Sequence, residues 1–283
     1  MEAEQIDAAA VRDAEMLIVR TRTRVDVRLL EGSRVRMVCT ATIGYDHIDT
    51  VYCEANGIRW MACPGCNAQA VCDYIEEAIE EFRIQNSEFR HQTIGVVGVG
   101  HVGSLVAKMA ERKGMTVLLN DPPKGLGVGL DELAKKSDII TFHVPLDHTT
   151  RYLCDERFLA QCKPDALIIN AARGGVVDEQ ALLRSGHPFI LDTWENEPEI
   201  DRQVVARALR ASMHIAGYSV EGKRKASQMC LDAIAQAFGL PAITLPHYAS
   251  IGDTRSGWIA RISDQLKARP EEFELLRKEY ILR

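Results

Sequence analysis

The segment from Gly95 to Gly103, read as GVVGVGHVG, constrains the fold of this chain more than any other stretch. It places a short apolar run before three glycines with the spacing G-x-G-x-x-G, which are Gly98, Gly100 and Gly103, and a helical apolar pattern follows. This order predicts a buried strand, a tight turn and a helix whose N-terminal N–H groups and positive dipole face a pyrophosphate. Because a glycine pattern alone is weak evidence, the prediction depends on the elements around it.

A second apolar run, Thr116–Asn120, follows the predicted helix and ends in Asp121, about 20 residues beyond the glycines as the dinucleotide-binding pattern requires. A carboxylate at this position binds the ribose hydroxyls of NAD and disfavours the additional phosphate of NADP. An ordinary glycine turn in an α/β domain would explain the glycines but not this combination. The sequence therefore predicts an NAD-binding domain with these cofactor-binding residues: Gly98, Gly100, His101, Val102, Gly103 and Asp121.

Later segments repeat the order of strand and helix. Apolar runs at residues 138–144, 166–170 and 189–191 are separated by helical patterns and short loops. This alternation predicts a doubly wound parallel sheet, whose ligands bind beyond the carboxyl ends of the strands. Four polar residues fall at such ends: Asn170, Arg173, Asp192 and Glu197.

The N-terminal part has shorter apolar runs, at residues 14–19, 35–39 and 60–63, with no glycine fingerprint among them. It predicts a small α/β domain of its own. A long helix is predicted from Ala68 to about Arg90 with Asn67 as its cap, and a helix over residues 220–238 is predicted to return to the first domain.

Charge and composition exclude several classes of protein. With 283 residues, a formal net charge of −6 and a pI near 5.8, the chain is not expected to bind nucleic acid or an anionic membrane in general. No apolar run approaches the length of a membrane span, and the charged residues among Met1 to Arg12 argue against a signal peptide. A cytoplasmic location is therefore expected.

The eight cysteines are expected to be reduced thiols, because the chain has the size and pattern of an α/β enzyme rather than of a small secreted domain. Cys63 and Cys66 form a C-x-x-C, which could be a redox pair or half of a metal site. No second C-x-x-C or histidine pair completes a zinc set, so no metal is predicted.

A basic alternation follows the first apolar run, with Arg20, Arg22 and Arg24 separated by threonines. If the strand continued, period-two spacing would place the three guanidinium groups on one side. Such a group of cations could be a solvated strand end or a site for a carboxylate or phosphate, which arginine binds bidentately.

Three ionisable residues after the glycine fingerprint have the functional groups that oxidation of a 2-hydroxy acid needs: Arg173, Glu197 and His214. The reaction requires a base for the hydroxyl proton, a cation for the carboxylate and a nicotinamide as hydride carrier. A carboxylate beside an imidazole favours the imidazolium form and fixes its tautomer. Each residue taken singly has an ordinary explanation, but their order after a dinucleotide fingerprint favours the functional one.

At this point the chain resembles the D-isomer-specific 2-hydroxyacid dehydrogenases. The resemblance rests on GVVGVGHVG, on NAARGGVVD (170–178), on LDTWENEP (191–198) and on the late His214. Further motifs are similar to a branch of that family that oxidises a phosphorylated acid, 4-phospho-D-erythronate, in pyridoxal 5′-phosphate biosynthesis: TATIGYDHID (40–49), PGCNA (64–68), LLNDPP (118–123), HIAGYSVEGK (214–223) and EFELLRKEY (272–280).

The resemblance implies a role for each matching residue. It implies Arg173, Glu197 and His214 as catalytic residues, with His214 as the proton donor or acceptor. It implies that Asp121, Val144, Asp192 and Gly217 lie at the NAD and that Thr21, Thr42 and Tyr218 bind the substrate. Arg20 is the candidate for the phosphate group, since the basic alternation suits a doubly anionic acid. Two alternatives remain open: a dehydrogenase of another acid, such as 3-phosphoglycerate or glycerate, and a non-catalytic NADH-binding regulatory protein.

The resemblance also predicts the domain organisation, an α/β fold in which a Rossmann NAD domain is inserted in a smaller flavodoxin-like substrate domain. The expected bounds are 1–88 for the substrate domain with the connecting helix, 89–217 for the NAD-binding domain, 218–239 for the return helix and 240–283 for a remnant of a C-terminal dimerisation region. A homodimer is expected from that region. Compared with the family, the chain is expected to be shorter at the N-terminus, in the loops at 147–150 and 185–188 and in the dimerisation region, and Met213 replaces a proline before the histidine.

Overall fold

The computed structural model describes residues 5–85, 92–249, 252 and 256–283. The chain divides into two compact units. Unit 1 comprises Met1–Asn67 and Ser219–Ser250, and unit 2 comprises Ala68–Tyr218 and Ile251–Arg283. The first segment of unit 2 thus lies between the two segments of unit 1, whereas its second segment follows both of them in the sequence. Each unit contains its own β-sheet.

Unit 1 contains a three-stranded parallel sheet in the order β1-β2-β3. The central strand is buried at all four positions, as expected for a parallel strand that is covered on both faces. Aspartates cap the three short helices of this unit by accepting backbone N–H bonds. Its elements are α1 (Ala8–Val11), β1 (Met16–Val19), α2 (Val27–Leu30), β2 (Met37–Thr40), α3 (Thr50–Ala55), β3 (Arg59–Met61) and α10 (Val220–Phe238).

Helix α10 completes the core of unit 1. Its apolar side, with Ala226, Cys230 and Ile234 at helical spacing, packs against Met37 and Cys39 of β2. All eight cysteines lie within the described residues and are free thiols. In the C-x-x-C, the Cys63 sulfur lies 3.5 Å from that of Cys230 on α10, so this cysteine is part of the packing between the helix and the sheet.

Unit 2 contains a seven-stranded sheet in the order β10-β9-β8-β7-β4-β5-β6, parallel except for the β5–β6 pair. The strand order reverses between β4 and β7, which is the topological switch point of a doubly wound fold. Its elements are α4 (Ala68–Gln85), β4 (Thr93–Val97), α5 (His101–Arg112), β5 (Thr116–Asp121), β6 (Leu126–Gly127), α6 (Leu130–Lys136), β7 (Ile139–Phe142), α7 (Glu156–Leu159), β8 (Leu167–Asn170), α8 (Glu179–Ser185), β9 (Phe189–Leu191), α9 (Arg202–Arg207), β10 (Arg210–Ala211), α11 (Trp258–Ala268) and α12 (Phe273–Glu279).

The contacts divide the chain differently from the predicted bounds. Helix α4 belongs to unit 2 because Tyr74, Ile75 and Ile79 are fully buried in the same core as the large sheet. The predicted boundary at residues 88/89 and the last turns predicted for this helix fall within 86–91, outside the described residues. Helices α11 and α12 also pack on the core of unit 2, since both bury an apolar stripe there.

The basic alternation after β1 does not meet the condition under which its three arginines would share one side: β1 ends at Val19, and Thr23 N–H donates to the Arg20 carbonyl in a turn. One expectation for local structure is wrong. Asn67 does not cap α4, because its buried Oδ1 accepts no hydrogen bond from the described residues. Among the described helices, none combines the length and the apolar character needed to cross a lipid bilayer.

A buried ion pair joins α4 to the edge strand β10. Arg210 Nε lies 2.5 Å from Glu81 Oε2, and the side chains are only 18% and 10% exposed. The second Glu81 oxygen accepts the Ala260 N–H of α11 at 3.3 Å. This carboxylate therefore holds three elements together.

We expect Arg210→Met to lower the free energy of unfolding by about 3 kcal/mol, because it leaves the Glu81 charge buried without its partner. Urea unfolding measures the effect. The control is Arg269→Met, which removes an exposed pair with Glu272 and should cost less than about 1 kcal/mol. Equal losses in the two variants would contradict the structural role of the buried pair.

Candidate active site

The glycine turn between β4 and α5 is built by close contacts of the backbone. Gly98 has φ +88°, and a Cβ there would lie 2.7 Å from the His143 carbonyl oxygen. A Cβ on Gly103 would lie 1.9 Å from the Gly98 carbonyl oxygen. A Cβ on Gly100, by contrast, would meet no atom within 4 Å. Two glycines are thus required by packing, and the middle one borders open space.

The surroundings of this open space fit a dinucleotide. Helix α5 starts there without a side-chain cap, so its first N–H groups point toward the position that a pyrophosphate would take. Asp121 lies against the same turn, with Oδ2 accepting the Val99 N–H at 2.9 Å. The Lys124 ammonium donates to the Val99 carbonyl at 2.6 Å and lies 3.8 Å from the Asp121 carboxylate.

The other side of the switch point is formed by the end of β7. His143 follows this strand, and its Nε2 lies 3.0 Å from Thr141 Oγ1. Burial lowers the pKa of His143 to about 3, so the imidazole is neutral at physiological pH. Val144 follows it, and its methyl group lies beside the backbone of Gly98. His101 is exposed and Val102 half-buried in the first turn of α5.

Glu197 and His214 form a hydrogen-bonded pair. Glu197 Oε2 lies 2.8 Å from His214 Nδ1, and its Oε1 accepts the Trp194 N–H at 2.8 Å. An ionised carboxylate only accepts, so Nδ1 carries a proton and Nε2 is left to exchange a proton with a ligand. The sequence analysis placed Glu197 beside His214 as a hypothesis, and the structure shows the hydrogen bond between them.

The backbone at His214 is held in a left-handed conformation with φ +56°. Its N–H donates to the Asp192 carbonyl at 2.8 Å. The Asp192 carboxylate accepts the N–H groups of Ile215 and Ala216 at 2.8 and 2.9 Å, and it is 1% exposed. The neighbour Met213, which replaces the proline of the family, is buried. The predicted contact of Asp192 with NAD stays a prediction.

A buried chain of hydroxyl groups supports the same carboxylate. Ser212 Oγ donates to Asp192 Oδ1 at 2.7 Å and lies 2.8 Å from the Tyr74 hydroxyl of α4. Burial raises the pKa of Tyr74 well above its usual value, so the phenol keeps its proton and donates to Ser212. Sequence reasoning missed both residues, because Tyr74 reads as one more apolar position of α4.

Arg173 lies at the end of a turn that follows β8. Asn170 fixes this turn by donating to the Arg173 carbonyl at 2.8 Å and accepting the Ala172 N–H at 3.0 Å. The Arg173 side chain is exposed, and its Nη1 donates to the Ala172 carbonyl at 2.7 Å. A Cβ on the next residue, Gly174, would lie 1.8 Å from the Trp194 carbonyl oxygen. This glycine lets the arginine turn pack directly on the backbone of the loop that contains Glu197.

Glu179 and Glu195 join the same loop to helix α8. The Glu195 N–H donates to Glu179 Oε1 at 2.6 Å, and the Glu179 N–H donates to Glu195 Oε1 at 3.2 Å. Glu179 is 4% exposed, and this burial raises its pKa to about 8, with the carboxylates of Glu195, Asp201 and Glu197 adding to the effect. Glu179 is therefore uncharged over most of the physiological pH range.

Tyr218 is positioned by the C-terminal helix α12. Arg277 Nε donates to the Tyr218 hydroxyl at 3.1 Å, and the guanidinium lies 5.6 Å from the ring centre. Tyr218, Glu274 and Glu197 raise the pKa of Arg277 and outweigh the opposite effect of burial. Sequence reasoning gave Arg277 no role, because it lies in a segment interpreted as a dimerisation remnant. Gly217 precedes Tyr218 in the same half-buried loop.

The remaining predicted substrate residues lie in unit 1. Arg20 follows β1 and donates from Nη2 to the Ala41 carbonyl at 3.1 Å, and Thr21 is exposed beside it. Thr42 follows β2, and its hydroxyl donates to the Gly44 carbonyl at 2.9 Å and contacts Thr40 Oγ1 at 2.6 Å. Arg24 is instead paired with Asp26 at 3.5 Å, which gives it a structural role.

A cleft of about 260 Å³ lies on unit 2. Its lining is acidic, so it would repel an anionic acid and is not a candidate for the substrate site. The lining residues are Glu179, Gln180, Glu195, Asn196, Glu199 and Asp201.

Comparison with known families agrees with this geometry. The model of the D-isomer specific 2-hydroxyacid dehydrogenase NAD binding domain matches residues 69–216. The chain belongs to this family. Residues 69–216 are thus the NAD-binding domain of the dehydrogenase, and the glycine turn, Asp121, Arg173, Glu197 and His214 all lie within it.

Curated relatives cover most of the dehydrogenase. The erythronate-4-phosphate dehydrogenase of Bacteroides thetaiotaomicron is 42% identical over 96% of this chain and 86% of its own length. The erythronate-4-phosphate dehydrogenase of Porphyromonas gingivalis is also 42% identical, over 81% of this chain and 67% of its own length. This chain thus spans only part of the length of these relatives.

Solved structures share the fold. The D-lactate dehydrogenase from Aquifex aeolicus, complexed with NAD and lactic acid, has a TM-score of 0.63 and 26% identity and covers 83% of this chain and 86% of its own. The D-mandelate dehydrogenase of Rhodotorula graminis has a TM-score of 0.68 and 20% identity and covers 87% of both chains, which supports the fold alone. The predicted fold class and cofactor are confirmed.

We expect Gly174→Ala to destabilise the dehydrogenase by about 1–3 kcal/mol, because its Cβ overlaps the Trp194 carbonyl oxygen and must push the two loops apart. Urea unfolding measures the change. The matched control is Gly129→Ala, since a Cβ there meets no atom within 4 Å and its φ is −62°. A Gly174→Ala variant as stable as the control would show that the loops do not need this close contact.

The raised pKa of Glu179 predicts a pH dependence of stability. Below its ordinary value of 4.5, Glu179 is protonated in both the folded and the unfolded chain; between 4.5 and about 8 only the folded chain keeps the proton. The free energy of unfolding should therefore fall as pH rises through this window, by at most about 1.4 kcal/mol per pH unit for this group.

Glu179→Gln should flatten that dependence, because the amide stays neutral and its Oε1 can still accept the Glu195 N–H. Urea unfolding at pH 5, 6, 7 and 8 compares the slopes, with the exposed Glu199→Gln as the control that keeps the wild-type slope. A variant that loses as much stability between pH 5 and 8 as the wild type would exclude Glu179 as the titrating group.

Proposed function

We propose that this dehydrogenase oxidises 4-phospho-D-erythronate to 3-hydroxy-2-oxo-4-phosphooxybutanoate with NAD, a step of pyridoxal 5′-phosphate biosynthesis. The observation that carries the reaction type is the 2.8 Å hydrogen bond between Glu197 and His214 in the unit that holds the dinucleotide turn. The curated relatives, which are named erythronate-4-phosphate dehydrogenases, support the substrate.

His214 takes the proton of the 2-hydroxyl group in this proposal. Glu197 holds the proton on Nδ1, so Nε2 presents its lone pair to the hydroxyl. When the proton arrives, the imidazolium is stabilised by the adjacent carboxylate, whose other oxygen is fixed by the Trp194 N–H. Glu197 therefore acts both on the orientation and on the charge of the imidazole.

Arg173 binds the carboxylate of the substrate. Its guanidinium offers a fork of donors that matches a carboxylate, and the turn fixed by Asn170 presents the side chain to solvent. Bound NAD supplies the hydride acceptor, held by the glycine turn and Asp121. Tyr218, oriented by Arg277, is proposed to contact the acid as well.

In unit 1, Arg20, Thr21 and Thr42 are proposed to bind the rest of the substrate. Arg20 is fixed by its bond to the Ala41 carbonyl, and its guanidinium suits a phosphate. The family resemblance also supports a cytoplasmic location and a homodimer. Sedimentation analysis of the full chain would measure whether it is a dimer.

Wild type should form NADH from 4-phospho-D-erythronate, and His214→Ala should lose about 10²- to 10⁴-fold in kcat because the proton has no acceptor. NADH binding, measured by fluorescence, should be unchanged. His148→Ala, an exposed histidine in the same unit, is the matched control and should keep wild-type activity.

The outcomes separate the alternatives. A higher kcat/KM with 3-phosphoglycerate or glycerate would replace the proposed substrate by that acid. NADH binding by a wild type that oxidises none of these acids would instead favour a non-catalytic regulatory protein. A His214→Ala variant with wild-type kcat would remove the histidine from the chemistry.

A further inference from the structure

Unit 1 brings together three cations from distant parts of the chain. Arg20 and Arg22 lie in the turn after β1, whereas Lys223 lies in the first turn of α10. Desolvation and the charges of both arginines lower the pKa of the Lys223 ammonium, so the three cations lie close enough to interact electrostatically, although Lys223 is exposed to solvent. Sequence reasoning considered the arginines alone, because Lys223 lies 201 positions after Arg22 in the chain.

The packing of α10 explains why these cations meet. Ala226, Cys230 and Ile234 bury one side of the helix against β2 and the Cys63 turn. Lys223 is three residues before Ala226 and seven before Cys230, so it lies on the same side of the helix, one turn beyond the apolar contacts. Ala41, whose carbonyl accepts a hydrogen bond from Arg20, belongs to the same buried cluster as Ala226 and Cys230, so the N-terminal half of α10 packs near the turn that contains Arg20.

The first turn of α10 also lies close to the turn that follows β3. A Cβ on Gly222 would be 3.4 Å from Cα and Cβ of Asn67. The Asn67 Oδ1 is buried and accepts no hydrogen bond from the described residues, although buried acceptors normally have a donor. A polyhydroxy ligand at this edge would supply hydroxyl donors. Carboxyl ends of parallel strands are where α/β proteins bind their ligands.

Two acidic residues near these cations are paired with other basic residues in the part of the chain that the structure describes. Glu221, on the same turn as Lys223, accepts two bonds from Arg224 at 2.6 and 2.8 Å and lies 3.6 Å from His247 Nδ1. Arg24, the third arginine of the alternation, is paired with Asp26. Three clustered cations exceed what a single carboxylate would neutralise, whereas a phosphate monoester carries about −1.5 to −2 charges at pH 7.

We propose that Lys223 binds the phosphate group of the substrate together with Arg20 and Arg22, and thereby sets the preference for phosphorylated over unphosphorylated 2-hydroxy acids. This inference rests on the proposed function for the identity of the acid, but not for the anion site itself. Lysine acts there as a compact point charge beside the bidentate arginines.

Binding of inorganic phosphate to the full chain tests the anion site without turnover. The melting temperature is measured over a phosphate series with saturating NAD, so that phosphate does not enter the pyrophosphate position. Phosphate should raise the wild-type melting temperature, Lys223→Met should lose most of that rise, and Lys223→Arg should restore part of it. Lys108→Met, an exposed lysine on α5, removes the same charge and should keep the wild-type response.

Kinetics tests the preference for the phosphorylated acid. Lys223→Met should lower the ratio of kcat/KM for 4-phospho-D-erythronate to that for D-erythronate by about 10- to 100-fold, the value of one hydrogen bond to a charged group. Lys108→Met should leave the ratio unchanged. Both measurements use the full chain.

The outcomes separate this inference from the proposed function. A phosphate effect that depends on Lys223 in a protein that does not oxidise 4-phospho-D-erythronate would support the anion site and reject the substrate. A wild type that phosphate does not stabilise, or a Lys223→Met variant with an unchanged phosphate response and an unchanged ratio, would overturn the inference.

Discussion

The buried carboxylate of Asp192 fixes the backbone on which the proposed proton acceptor stands. At 1% exposure a carboxylate is costly unless donors replace its water, and here Ser212 Oγ and the N–H groups of Ile215 and Ala216 do so. Those donors belong to the loop around His214. The hydrogen bonds that stabilise the buried carboxylate therefore also fix the conformation of this loop. The left-handed backbone conformation at His214 is maintained because the residues before and after it are hydrogen-bonded to Asp192.

The rest of the site follows from contacts of the same kind. Glu197 has one oxygen on the Trp194 N–H and the other on His214, so its orientation is set by the backbone before any ligand binds. Gly174 lets the arginine turn reach the same loop, and Glu179 holds that loop to α8. The polar groups of unit 2 thus lie in loops that buried hydrogen bonds and close backbone contacts hold in place, which pre-organises them for proton transfer.

Periodicity predicted some elements well. The bounds of α10 and β9 agree with the predicted ones, because their apolar residues lie between clear breaks. The spacing of the basic alternation could not decide between a continuing strand and a turn, and the structure places Arg20 in a turn. Helix α11 was not predicted, and neither was its place in unit 2, because a short amphipathic pattern does not indicate which core the helix will cover.

For the site, the sequence identified Arg173, Glu197 and His214 as candidates. It did not identify four further residues, because each of them is linked to the site by contacts or charges of residues far away in the chain: Tyr74, Ser212, Arg277 and Lys223.

By itself, the sequence determined the fold class and the kind of cofactor. Both follow from local rules: glycines where no Cβ fits, apolar runs with the period of strands and helices, and an acid at a fixed distance from the turn. Only the tertiary structure decided which polar groups meet. Whether the charge of Arg20 acts on Lys223, or the Tyr74 hydroxyl contacts Ser212, depends on how a helix packs on a sheet. That packing is fixed by side chains from separate segments rather than by any local pattern.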